Sequence, residues 1–175
     1  MSMIQWLQSK LVLLMAGVIL ISSVTTVFHH QLESMEKEEL KNRCGKISRV
    51  IDKMEKADVD EMSQRITFDE SSEGIFLSPE VRGESYIIKI QTDYVRIEKD
   101  GLSVVEGLQG NVHVWELGEL NDTGELDEDE KRWKDSQASQ LEIRSGENDI
   151  ELHKVELREG DVARTHIFVS EVDTL

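Results

Sequence analysis

The amino-acid sequence predicts an α+β protein: an N-terminal transmembrane helix continuing into an amphipathic helix, followed by an antiparallel β-sandwich or β-sheet head. Three observations predict it. An uncharged apolar run fills Leu11–Phe28, a stripe of apolar residues at helical spacing follows, and from Ile66 onward the apolar residues alternate. The expected parts are residues 1–30 as tail and anchor, 31–65 as helical stalk, and 66–175 as β-rich acidic head.

The anchor comes first in the chain. Its eighteen residues, LVLLMAGVILISSVTTVF, make about 27 Å of helix, close to a hydrocarbon core of ~30 Å. Trp6 and Lys10 before the run, and His29, His30 and Gln31 after it, suit the two membrane interfaces. A cleaved secretory signal is the alternative reading. The apolar run is longer than the ~7–15 residues of such signals and no small-x-small site follows it, so an uncleaved anchor is expected. Ala16, Gly17, Ser22 and Ser23 are small enough for close helix approach and are the candidate association surface in the span. Hydroxyls such as those of Ser22, Ser23, Thr25 and Thr26 more often bond back to their own helix.

Charge divides the chain at the same place. Residues 1–30 hold no acid and one base, Lys10, so the rest carries all 36 acids and all but one of the 20 bases, a balance of −17. An acidic body repels phosphate backbones and anionic head groups, so nucleic acid is excluded as a partner. Membrane contact is expected through residues 11–28 alone. The cations Lys37, Lys41, Arg43, Lys46 and Arg49 behind the span would by themselves hold the body in the cytoplasm, although long domains cross largely regardless of charge.

In the stalk, Leu40, Cys44, Ile47, Ile51 and Met54 recur at spacings of 4, 3, 4 and 3, with Val50 widening the stripe. Barely two heptads favour packing on the protein's own sheet over a coiled coil. Gly45 could mark a bend, and the helix is expected to end near Met62 or Arg65. Cys44 is the only cysteine, which excludes an internal disulfide and a zinc ribbon; on the apolar stripe it reads as a buried thiol.

Alternation then takes over. Tyr86, Ile88 and Ile90, Val95 and Ile97, and Leu102 and Val104 define strands, with Asp100-Gly101 between them as a type I′ hairpin turn. Val112 and Val114, Leu141 and Ile143, and Ile167-Phe168-Val169 continue the series. The odd step from Ile150 and Leu152 to Val155 and Leu157 predicts a β-bulge or break near His153 and Lys154. Residues 118–139 form an acid-rich interruption, expected to be a solvated loop with Trp133 pinned on the sheet. Its oxygen-bearing side chains depart from EF-hand spacing, so calcium is not expected, and Asn121-Asp122-Thr123 is a glycosylation sequon.

Catalytic patterns are missing. His113, His153 and His166 fall on predicted strands outside any His-Glu-x-x-His frame, and no phosphate loop, nucleophile elbow or kinase signature is present. No cofactor and no metal are expected, and the protein reads as a non-enzyme.

The uncharged span, the helix through Cys44-Gly45-Lys46-Ile47-Ser48-Arg49-Val50-Ile51-Asp52, and the stretch Ile75-Phe76-Leu77-Ser78-Pro79-Glu80-Val81-Arg82-Gly83-Glu84-Ser85-Tyr86-Ile87-Ile88-Lys89-Ile90 together resemble archaeal pilin-like (type IV pilin-related) membrane proteins. The resemblance covers about the first two thirds of the chain. It implies a lollipop with the helix in a membrane or filament core and the β head outside the cell, and self-association or contact with other pilin-like subunits through the helix. Gln8-Ser9-Lys10-Leu11 lacks the small residue at which prepilins are cut, which points to an uncleaved accessory or minor subunit. Leu40, Cys44, Ile47 and Ile51 join the span's small residues as candidate interaction positions. The alternative is an extracytoplasmic ligand-binding or sensing module on a single-pass anchor, with Trp115, Trp133 and the acidic loop facing a ligand. A membrane-bound hydrolase built from scattered acids is the third class.

Overall fold

The computed structural model describes residues 3–110, 112–115, 140–159 and 162–173. One helix, α1 (Met3–Lys56), is followed by eleven strands: β1 (Glu61–Thr67), β2 (Ile75–Phe76), β3 (Glu80–Val81), β4 (Glu84–Ser85), β5 (Ile87–Ile90), β6 (Tyr94–Lys99), β7 (Leu102–Gly107), β8 (Val112–Val114), β9 (Leu141–Arg144), β10 (Asn148–Glu159) and β11 (Val162–Asp173). The class is α+β. The chain divides into two compact units, residues 1–36 and 37–175.

The first unit is helical among its described residues. The second takes up α1 from Lys37, and there the predicted stripe is realised: Leu40, Cys44, Ile47, Ile51 and Met54 are each at most 1% exposed. The helix runs through Gly45 without a break and stops at Lys56, short of the expected Met62–Arg65. Asp58 and Glu61 interrupt the apolar stripe, and the amide of Ala57 bonds the Met54 carbonyl to close the last turn. Residues 61–65, expected to close the helical stalk, belong instead to strand β1. Its inward residue Ile66 needs a period of two, and pairing with β10 supplies the backbone partners a lone helical end would lack.

Two larger sheets form, β2-β1-β10-β11-β8 and β7-β6-β5-β9, with β3 and β4 as a separate small hairpin. The expected antiparallel pairing holds for β5 with β6 and β9, for β6 with β7, and for β10 with β1 and β11. It fails at two edges, where β2 runs parallel to β1 and β8 parallel to β11, so the larger sheet is mixed. A parallel neighbour cannot come from a tight hairpin, and alternation within a strand carries no sign of its partner's direction. Gly74, just before β2, lies so close under β1 that a Cβ there would stand 2.7 Å from the Arg65 carbonyl oxygen.

The Asp100-Gly101 turn is as expected, with φ of 48° and 82°, and Arg82-Gly83 repeats the device between β3 and β4 with 56° and 81°. The predicted bulge is absent: β10 pairs with β11 in unbroken register from Asn148↔Asp173 to Glu159↔Val162. The apolar step arises because both faces of β10 are covered. Ile150 and Leu152 face the main core, and Val155 and Leu157 join Phe168 on the other side, with Trp115 packed against them. Lys154 shares the first face, nearly buried, with its ammonium donating to the Ala57 carbonyl at the end of α1.

The main core is one cluster. It joins the α1 stripe to Ile66, Ile150, Leu152, Ile167 and Val169 of one sheet and to Ile88, Ile90, Val95, Ile97 and Ile143 of the other.

Candidate functional site

The first candidate is the anchor segment. The described residues contain one helix long and apolar enough to cross a membrane; its best eighteen-residue window has a mean hydropathy of 2.5 and no buried residue. Ala16, Gly17, Ser22 and Ser23 all lie exposed on it. A Cβ on Gly17 would meet nothing within 4 Å. Ser23, Thr25 and Thr26 donate to the carbonyls of Ile19, Ile21 and Ser22 at 2.8–2.9 Å, so these hydroxyls satisfy their own helix.

The second candidate is the seat of α1 on the body. Leu40, Cys44, Ile47 and Ile51 meet the protein's own sheets there and are buried in its core. Ser48 donates to the Gly107 carbonyl at 3.2 Å. Arg43, in the linear pattern only one of the cations behind the span, is the hub. Its guanidinium donates to the carbonyls of Ser78 and Glu80, to the Tyr86 hydroxyl at 3.2 Å and to Glu39 at 2.6 Å. It also lies 5.0 Å from the centroid of the Tyr86 ring. The Tyr86 hydroxyl in turn donates to the Ser78 carbonyl at 2.8 Å. Burial pushes the phenol's pKa up, against the pull of Arg43. This locks the helix to the β3–β4 segment and to the start of β5.

Arg43→Met keeps the aliphatic stem and removes every one of these donors. The expected loss is about 2–3 kcal/mol, since hydrogen bonds from a charged donor to partly buried acceptors are the stronger kind. Thermal denaturation of the full-length protein checks it; an unchanged midpoint would show that the guanidinium contributes nothing to the seat.

Cys44 is fully buried, and its thiol donates to the Val95 carbonyl at 3.2 Å. Desolvation pushes its pKa up from 9.0 to about 11. The unfolded thiol ionises near 9.0 while the native one stays neutral to about 11, so its contribution to stability is complete below pH 9.0 and is lost as pH rises toward 11. Native protein should therefore resist alkylation at neutral pH and react once denatured, and Cys44→Ala should flatten the alkaline fall in stability. A thiol alkylated as fast in the native as in the denatured protein would contradict its burial.

The strand histidines share the outer face of the larger sheet. His113 Nε2 and His166 Nδ1 lie 3.1 Å apart beside Phe168, whereas His153 bonds Ser63 at 2.8 Å and has its Nε2 3.4 Å from a Glu151 carboxylate oxygen. Among the described residues no three His, Cys, Asp or Glu side chains converge as metal ligands. Trp115, offered to a ligand in the alternative reading, packs on Val155, Leu157 and Phe168. Trp133, the sequon at Asn121 and the acidic loop 118–139 lie outside the described residues.

Surface hollows open among the described residues, and two of them are lined by cations. One of about 470 Å³ between the β6–β7 turn and Arg144 contains Lys99, already paired with Glu84 at 2.9 Å and with Asp100 at 3.4 Å. The other, of about 350 Å³, runs between α1 and β2, with Lys46, Arg49 and Lys53 around half-buried Val50 and Ile75. No acid lines it. Sequence reasoning missed this groove, because the three cations are separated by apolar and acidic residues in the chain and gather on one side only when the helix is wound and seated.

Comparison of the chain with protein-family profiles, with curated proteins and with solved structures finds no match.

Proposed function

We propose that the protein is a non-enzymatic, single-pass membrane-anchored cell-surface protein, a pilin-like accessory or minor subunit of an archaeal surface filament or secretion assembly. The body lies outside the cell and copies associate through the N-terminal helix. One observation carries the reading: a single unbroken helix is used in two ways. Its Leu11–Phe28 segment is apolar and exposed, while from Leu40 onward the same helix buries its apolar stripe in the β body. A soluble domain has no use for eighteen exposed uncharged residues in a row, twelve of them large and apolar, which need lipid or neighbouring helices around them. The mixture of helix and β-rich body is compatible with the architecture of pilin-like proteins.

The test is disulfide trapping in membranes through Gly17→Cys, where there is room for a side chain and native Cys44 is too buried to compete. Crosslinked oligomers of the full-length variant support an assembly subunit. A monomer under the same oxidation points to a single-copy binding or sensing module. Protease digestion of intact cells gives the sidedness: a cleaved body is outside, and a protected one overturns the surface assignment.

A further inference from the structure

We infer that the groove between α1 and β2 receives the acidic stretch 116–130 of a second copy of this chain, a head-to-tail contact that adds to, and rests on, the assembly reading above. The chain's excess of acid makes body-to-body approach unfavourable, with charges screened over only about 8 Å at physiological salt. The groove is the local exception. Residues 37–56 carry seven cations against four acids, and Lys46, Arg49 and Lys53 all stand exposed around it. Lys46 reaches the Phe76 carbonyl at 2.6 Å, and Arg49 reaches back to Gly45 in its own helix at 2.8 Å. Those bonds hold the two side chains along the rim.

The occupant is identified by complementarity. Residues 116–130 contain eight acids and no base, interleaved with Leu117, Leu120 and Leu126. Carboxylates would meet the three cations, and leucines the apolar floor of Val50 and Ile75. The assembly reading above makes a second copy the occupant, and the same copy's own stretch is an outcome of the test. The stretch begins one residue beyond Trp115, behind β8, and β8 and β2 are opposite edges of the five-stranded sheet. A groove on one copy filled by a different segment of the next is a heterologous contact, which repeats from copy to copy into an open row, as an assembly subunit requires.

The probe is a fluorescent synthetic peptide of residues 116–130, titrated into full-length protein in detergent and read by anisotropy. Binding is expected at low salt, release at high salt, and no binding for the same peptide with its acids replaced by amides. Arg49→Glu with Lys53→Glu should weaken binding about tenfold or more, and the neutral Arg49→Gln with Lys53→Gln by less, neither pair touching the core. Equal affinity of the charge-reversed and native proteins, or equal binding of the amide peptide, would overturn the proposal. So would uptake of the peptide by a variant with the acids of its own 116–130 stretch replaced by amides but not by the native protein, which would place that stretch in its own groove. Failure of the assembly reading is separate: it shows as Gly17→Cys monomers, whereas failure here leaves those oligomers intact and the peptide unbound.

Discussion

Replacing Ile51 by Asp should abolish most of the stability of the β body. Ile51 is 0% exposed and lies in the cluster that joins α1 to both sheets, so the new carboxylate has neither water nor a cation of its own. An uncompensated buried charge costs about 3–5 kcal/mol, against a total of about 5–15 kcal/mol for a typical domain. The alternative open to the chain is to lift the helix off the sheets, which exposes Leu40, Ile47 and Met54 together. For a body of this size the melting temperature should fall by about 10–20 °C. Ile51→Val separates charge from shape, because it removes one methylene and should cost about 1 kcal/mol. An Ile51→Asp protein that melts with its parent would show that the stripe does not carry the packing.

Deleting residues 1–30 should remove the proposed membrane attachment and leave a soluble acidic body. The twelve large apolar residues exposed between Leu11 and Phe28 are worth roughly 6 kcal/mol of insertion at about 0.5 kcal/mol each. Nothing in 31–175 replaces them, since that part has no other uncharged apolar run of this length. The helical residues the body needs begin at Lys37, beyond the cut, and the unit 37–175 holds its own core. Full-length protein should sediment with membranes after a high-salt wash, and the truncated chain should stay in the supernatant. A truncated chain that still sediments would reveal a second attachment in the body.

Both expectations start from positions that periodicity alone had identified. A helix repeats every 3.6 residues, so Leu40, Cys44, Ile47, Ile51 and Met54 declare a common face before any partner is known. The same holds for the exposed span and for Asp100-Gly101, where positive φ is a property of the two residues themselves. These features are local, and the linear pattern contains them. The candidate positions divide along the same line: Ala16, Gly17, Ser22 and Ser23 were read from size, and Leu40, Cys44, Ile47 and Ile51 from spacing.

What the chain's own pattern determined, then, is the class α+β, the apolar span, the buried face of the helix and the tight turns. Only the tertiary structure decided where α1 yields to β1, because Glu61–Thr67 becomes a strand through pairing with Ile150–Val155, distant in sequence. It alone decided that β2 and β8 lie parallel to their neighbours, since side-chain alternation is the same in either direction. It covered both faces of β10, which turned an apparent bulge into a continuous strand. It also made Arg43 a lock and gathered Lys46, Arg49 and Lys53 around a groove, because what a charged side chain does depends on the acceptors and neighbours that folding brings within about 3 Å of it.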